Sequence, residues 1–410
     1  MELKYTRLKA ACYTTNITMS VVGNLSPLLL LTFRSLYGIS YSLLGTLVLI
    51  NFVTQLTIDL IFSFFSHNFN IPKTVKRTPL IAVFGLILYA ALPSLIPGAP
   101  YIGLVIGTII FSAASGLAEV LISPVIAAIP AKDPDREMSK LHSIYAWGVV
   151  FVIIVSTLYL LVFGQENWQY LPIFFAIIPF ISFILFSKSE IPQMETQEKV
   201  SGVLSYLKNG GLWLCVIAIF LGGASECTMA QWCSGYLEQA LSIPKVWGDV
   251  FGVAVFGLTL GLGRTLYSKI GKNLSRVLLF GGIGATICYF LAAVSNVPII
   301  GLIACGLTGF CTSMLWPGCL VVASDRFPNC GVFIYAMMAA GGDLGASVGP
   351  QLVGVVTDFV LTHPQSVKIA ESLNLLPEQM GMKLGMLVGM LFPLIGIAFY
   401  AHIVKLRKGK

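Results

Sequence analysis

The sequence predicts an all-α membrane protein whose twelve transmembrane helices form two pseudo-symmetric six-helix bundles. Hydrophobic residues make up 56% of the chain and charged residues only 10%, which is less charge than soluble domains carry. Twelve apolar stretches are each long enough to cross a bilayer, which takes roughly 20 residues of helix. A polar segment at 188–210 leaves six of these stretches on each side.

The predicted spans fill nearly the whole chain. The first is too long for a signal peptide and has no small-residue cleavage site, so we expect it to be retained. The apolar spacing of 361–381 predicts a short amphipathic helix at the membrane surface. The spans are 8–33, 40–66, 78–96, 101–129, 138–163, 168–187, 211–240, 246–268, 274–295, 298–324, 329–360 and 382–404.

The placement of basic residues predicts the orientation. With both termini in the cytoplasm, the inner segments hold all but four of the 25 Lys and Arg residues. Such a bias is what the positive-inside rule requires. We therefore expect a multi-pass protein of the cell (inner) membrane, and we interpret the net charge of +7 as attraction to the inner leaflet, without nucleic-acid binding. The four outer residues are Arg34, Lys245, Lys368 and Lys383.

The two halves resemble each other in sequence. Gly116 and Pro124 in the fourth span, and Gly309 and Pro317 in the tenth, are each eight residues apart. Together with the six-and-six count, this echo indicates a duplication of the kind found in transporters that rock about a midplane site. We expect an N-terminal bundle at 1–187, a cytoplasmic linker at 188–210 and a C-terminal bundle at 211–410.

Ionisable residues within the spans are the strongest functional signal. A charge at the bilayer centre costs about 2.5–3.5 kcal/mol on insertion scales, so it persists mainly where it faces water or a partner. Four such residues are candidates for proton coupling: Glu119, Glu226, Asp343 and His142. A structural pair with a neighbouring helix remains the alternative for each of them.

Other polar and aromatic residues are candidates for substrate binding. Glu226, Gln231 and Trp232 lie within two turns of one span. A carboxylate and an amide suit hydroxyl groups, and an indole suits the apolar face of a sugar. Packing between helices is the alternative for the tryptophans and the weaker polar candidates. The full candidate set is Asn24, Glu119, Tyr145, Glu226, Gln231, Trp232 and Trp316.

Charges at helix ends suggest a different role. Asp59 and Arg264 are predicted near the inner ends of the second and eighth spans, where charged groups hold helix ends in one conformation, so we expect them to act in gating.

Gly341, Gly345 and Gly349 recur every four residues in the eleventh span, which favours close helix packing over a ligand site.

Several chemistries find no support in the sequence. The nine cysteines form no C-x-x-C pair, and the four histidines are scattered. Neither a P-loop nor an H-E-x-x-H motif occurs. We therefore expect no metal site, no cofactor and no enzymatic activity.

Three stretches resemble a known family. Gly116-Leu-Ala-Glu119-Val-Leu-Ile-Ser-Pro124 is similar to the G-x-x-E-x-x-x-x-P of the fucose permease-like sugar:proton symporters, a group within the major facilitator superfamily. The run from Leu141 to Gly148, and the later Trp232 and Gly263-Arg264, also resemble motifs of that group.

The resemblance implies the major facilitator fold, a monomer, and two residue assignments. Glu119 falls on the family's protonatable glutamate, and Tyr145 falls where the family has an asparagine in the substrate cavity. One position departs from the pattern: Pro27 stands where the family's first span has an aspartate used in proton coupling.

We therefore expect a secondary active transporter that takes up a sugar or another small polar solute together with protons by alternating access. An alternative is a proton-coupled exporter of drugs or metabolites, because an acidic, aromatic cavity also suits cationic amphiphiles. A membrane enzyme or sensor on the same scaffold is the remaining alternative, and no catalytic constellation supports it.

Overall fold

The computed structural model describes residues 2–65, 68–130, 134–192, 208–270, 273–327 and 331–408. Among these residues, eleven helices are long and apolar enough to cross a membrane, and a shorter apolar helix covers Trp147–Phe163. The predicted all-α fold class of twelve transmembrane helices is confirmed. Most of the predicted linker lies outside the described residues.

The helices are labelled α1 to α12 by span. Three of them are interrupted: α6 has a one-residue break at Ala176, α8 contains a π-helical segment at Gly248–Ala254, and α10 is broken after Thr312. The bounds are α1 Glu2–Tyr37, α2 Tyr41–Phe65, α3 Ile71–Leu95, α4 Pro100–Ala127, α5 Pro134–Phe163, α6 Tyr170–Phe175 with Ile177–Ser187, α7 Gly210–Leu241, α8 Lys245–Trp247 with Gly248–Ala254 and Val255–Ile270, α9 Leu274–Val294, α10 Pro298–Thr312 with Leu315–Arg326, α11 Gly331–Thr362 and α12 Pro377–Lys408.

The predicted amphipathic segment between α11 and α12 does form a helix, Pro364–Ser372. A proline begins this helix and another begins α10, because proline tolerates the first helical turn, where its missing N–H is not needed. Pro364 and Pro298 both occupy such positions.

Two compact units make up the chain. The first comprises Met1–Thr32 and Ile50–Ser201, and the second comprises Phe33–Leu49 and Gly202–Lys410. The predicted two-bundle boundaries stay a prediction, and these units differ from them in the segment Phe33–Leu49. Within the second unit, the Asp358 carboxylate of α11 accepts hydrogen bonds from the backbone N–H groups of Tyr41 (3.0 Å) and Ser42 (2.5 Å) at the start of α2.

Glycines allow close helix packing inside each unit. In the first unit, a Cβ added to Gly107 of α4 would lie 2.4 Å from the Cα of Tyr89 in α3. In the second unit, a Cβ on Gly345 of α11 would lie 2.0 Å from the carbonyl oxygen of Phe220 in α7. The glycine spacing in the eleventh span therefore serves helix packing, as the sequence predicts.

Candidate functional site

A seam of polar side chains runs between α2 and α4 in the first unit. Asn51, Gln55 and Asp59 are four residues apart and so lie on one face of α2. Ser112 of α4 donates a hydrogen bond to Asn51 Oδ1 at 2.5 Å, and Gln55 Nε2 donates to the same oxygen at 3.3 Å. This α2–α4 polar seam covers two helical turns, or about 12 Å along α2.

Glycine makes the two helices of the seam approach closely. A Cβ on Gly116 would lie 3.1 Å from the Cα of Gln55. One turn further along α4, Glu119 reaches the end of the seam. Its carboxylate and that of Asp59 have oxygen atoms within 4.8 Å of each other. The sequence placed these two acids in separate roles, and the structure brings them together.

The environments of the two acids differ. The Asp59 side chain belongs to the protein interior, since the residue is only 3% exposed. Glu119 is exposed, although Ala118 and Leu121, close to it in the sequence, are buried. Two negative charges this close repel each other, and the burial of Asp59 limits how far water screens them. A proton held between them removes that repulsion.

A second polar seam joins α1 to α5 in the same unit. Asn16 Nδ2 donates to the Leu141 carbonyl oxygen at 2.5 Å, and Ser20 Oγ donates to that of Tyr145 at 2.8 Å. Asn24 Nδ2 donates to the Ser20 carbonyl oxygen at 2.9 Å. A Cβ on Gly23, next to Asn24, would lie 3.4 Å from the Tyr145 hydroxyl. The candidate residues Asn24 and Tyr145 therefore occupy one region of the first unit.

An ion pair lies inside the second unit. Arg264 Nη2 of α8 donates to both Glu226 carboxylate oxygens of α7, at 3.1 and 3.3 Å. The Glu226 side chain is 13% exposed and the Arg264 side chain 37% exposed. Arg264, predicted to act in gating, and Glu226, predicted to act in proton coupling and substrate binding, are therefore partners.

A proline in α10 explains the third bond of this arginine. Pro317 has no N–H, so the carbonyl oxygen of Ser313, four residues earlier, loses its helical donor. Arg264 Nε donates to that oxygen at 3.1 Å. One guanidinium thus joins α7, α8 and the break in α10, and it satisfies a backbone group that would otherwise lack a partner.

The remaining predicted residues of the second unit lie mostly in its interior. Trp232 is 1% exposed, and its Nε1 donates to the Pro350 carbonyl oxygen at 2.8 Å. Gln231 and Asp343 are 8% and 4% exposed. Trp316 is partly exposed and packs against Gly342, whose added Cβ would lie 2.6 Å from the ring.

Trp232 is therefore held by packing and by its own hydrogen bond, and its buried ring is not accessible to a solute in this structure. His142 lies in α5, but its side chain is outside the described residues. Ser20, Ser112 and Ser313 are polar partners that the sequence candidates did not include.

A multi-pass helical protein with carboxylates, amides and an ion pair inside its spans is organised as membrane carriers are. The chain belongs to the Major Facilitator Superfamily, whose family model matches residues 11–350. This match confirms the superfamily predicted from the sequence. Members of the superfamily are transporters. A comparison with curated proteins finds no match.

Solved structures of three transporters share the fold. A nucleoside transporter, NupG, has a TM-score of 0.74 at 10% identity, covering 97% of this chain and 99% of its own. A D-xylose-proton symporter has a TM-score of 0.74 at 15% identity, covering 96% and 97%. The E. coli fucose:proton symporter FucP has a TM-score of 0.61 at 13% identity, covering 96% and 99%. At these low sequence identities, the similarity to the three structures shows the fold alone.

Proposed function

We propose that this chain is a proton-coupled importer of a sugar or another small polar solute, with Glu119 as the proton carrier. The observation that carries the proposal is the pair formed by Glu119 and Asp59, whose carboxylate oxygens lie within 4.8 Å of each other at the end of the α2–α4 polar seam.

The pair supports proton coupling because its charge repulsion depends on protonation. With both acids ionised, the pair is unfavourable in an apolar bundle, and one bound proton relieves it. A carrier that exchanges this proton with either side of the membrane can switch conformation in a proton-dependent way. Proton and solute then drive transport only if both favour the same states.

Glu226 receives a different role in this proposal. Its charge is compensated by Arg264, so it does not need a proton to remain within the second unit. The pair offers acceptors on the carboxylate and unused N–H donors on the partly exposed guanidinium. Such a set binds solutes whose hydroxyl groups both donate and accept hydrogen bonds. We therefore assign Glu226 and Arg264 to solute binding, and leave Asp343 and His142 as secondary candidates.

The proposed solute class agrees with the names of the structural neighbours. These proteins are called a nucleoside transporter, a D-xylose-proton symporter and a fucose:proton symporter, and all three named solutes are rich in hydroxyl groups. The basic residues of the inner segments support a place in the cell membrane with both termini in the cytoplasm.

Uptake into proteoliposomes tests the proposal. A thermal-shift screen with D-xylose, L-fucose and uridine first selects the solute, because a ligand that binds the native state stabilises it. We expect an inward proton gradient to drive accumulation of that solute by the wild type. Glu119→Gln should abolish accumulation while solute exchange at equal pH continues.

Glu371→Gln is the matched control, since Glu371 is an exposed acid on the helix Pro364–Ser372. It should transport as the wild type does. Full gradient-driven accumulation by Glu119→Gln would overturn the assignment of the proton carrier. Solute expulsion along the opposite gradient, with no uptake, would instead favour the exporter alternative.

A further inference from the structure

A cavity of about 370 Å³ lies in the second unit, apart from the residues assigned above. Its walls come from the first two turns of α7, the last residue of α10 and the final turns of α12. These three helix ends carry basic residues in the sequence, and the charge bias places them on the cytoplasmic side. The cavity therefore belongs to the predicted inner edge of the membrane.

Arg326 gives this cavity a positive wall. Its guanidinium lies against Gly211, where an added Cβ would be 2.6 Å from both Nε and Nη2. Arg326 forms no ion pair or hydrogen bond with the part of the chain that the structure describes. Its planar set of N–H donors is therefore available to an anion, and a guanidinium matches the geometry of phosphate oxygens especially well.

The start of α7 adds to the positive potential. Asn209 caps the helix by accepting from the Gly211 N–H at 2.8 Å. Gly210 has no side chain, and a Cβ placed there would meet nothing within 4 Å. An anion can therefore approach the first turn, at the end of the helix where the backbone dipoles favour negative charge. His402 of α12 provides a further polar side chain in the wall.

The other walls are apolar and open outwards. Trp213 is 44% exposed and Leu406 is 40% exposed, while Phe399 is partly buried. Tryptophan with basic residues at a helix end is typical of the membrane interface. A free phosphate ion would gain nothing from this apolar surface, whereas an acyl chain would be buried on it.

We propose that this cavity binds an anionic phospholipid of the inner leaflet, with its phosphate at Arg326 and the start of α7 and its glycerol and upper acyl chains against Trp213 and Phe399. Basic pockets between transmembrane helices on the cytoplasmic side hold lipid head groups in this way. The inference does not depend on which solute is carried or on proton coupling.

Native mass spectrometry of the purified full-length protein tests the site with dioleoyl phosphatidylglycerol and dioleoyl phosphatidylcholine. We expect the wild type to bind one phosphatidylglycerol about tenfold more tightly than phosphatidylcholine, because both lipids carry the phosphate but the cationic choline of phosphatidylcholine is repelled by Arg326 and the start of α7. Arg326→Gln should remove this preference. Arg276→Gln, at an exposed basic residue of α9, should keep it.

A second variant separates charge from position. Gly211→Ala leaves the net charge unchanged but puts a methyl group where the guanidinium lies, and Arg326 is flexible enough to move aside without unfolding the bundle. It should weaken phosphatidylglycerol binding too. Equal losses in Arg326→Gln and Arg276→Gln, or no loss in either cavity variant, would overturn the proposal. Displacement of the lipid by inorganic phosphate at equal concentration would assign the site to soluble phosphate and also overturn it.

Discussion

Removing the guanidinium of Arg264 is predicted to destabilise the second unit, because this one side chain joins three helices. Arg264→Gln breaks the two bonds to Glu226 and the bond to the Ser313 carbonyl oxygen. The change also leaves the largely buried Glu226 carboxylate without its Arg264 partner.

The size of the effect follows from burial. Breaking a fully buried ion pair costs about 3–5 kcal/mol, whereas an exposed pair contributes about 0–1 kcal/mol. Because the Arg264 side chain is 37% exposed and that of Glu226 is 13% exposed, we expect an intermediate loss of about 2 kcal/mol for the pair. The orphaned Ser313 carbonyl adds about 1 kcal/mol.

A double-mutant cycle measures the pair separately from the carbonyl. The free energy of unfolding is determined by denaturant titration in mixed micelles for the wild type, Arg264→Gln, Glu226→Gln and the double variant. We expect a coupling energy of about 1–2 kcal/mol, since residues in direct contact couple more strongly than distant ones. Additive losses in the double variant would contradict this prediction, because they would mean that the two side chains do not stabilise each other.

Two further variants test the packing and the capping of the second unit. Gly345→Ala should prevent correct folding, since its Cβ would overlap a backbone oxygen of α7 at 2.0 Å, whereas Gly98→Ala, whose Cβ meets nothing within 4 Å, should elute as the wild type does in size-exclusion chromatography. Asp358→Ala should lower the free energy of unfolding by about 1 kcal/mol, because it removes the acceptor at the start of α2. Asp358→Asn, which keeps one acceptor oxygen, should lose less, and equal stability of all three proteins would contradict the cap.

Hydropathy was sufficient to predict the fold class, because length and apolar character decide whether a helix spans a bilayer. The orientation predicted from the charge bias and the division of the chain at 188–210 stay predictions. Local breaks were harder to foresee. Pro317 in the tenth span indicates a lost hydrogen bond, but the sequence does not show that Arg264 replaces it.

The candidate site was predicted only in part. Glu119 was found because an acid in an apolar span is conspicuous, but its neighbour was assigned to gating because Asp59 lies near a predicted helix end. The spacing of Asn51, Gln55 and Asp59, four residues apart, was the signal that could have joined it to the seam. The pairing of Glu226 with Arg264 depends on how α7 and α8 pack, which residue spacing does not reveal.

We propose that the Glu119 and Asp59 pair takes up and releases a proton. Infrared difference spectroscopy of the reconstituted protein during a pH titration observes this event directly, through the carbonyl stretch of a protonated carboxyl group, and needs no solute. We predict a titrating band in the wild type and in Glu371→Gln that is absent in Glu119→Gln and altered in Asp59→Asn. A titrating band that is the same in all four proteins would contradict the claim.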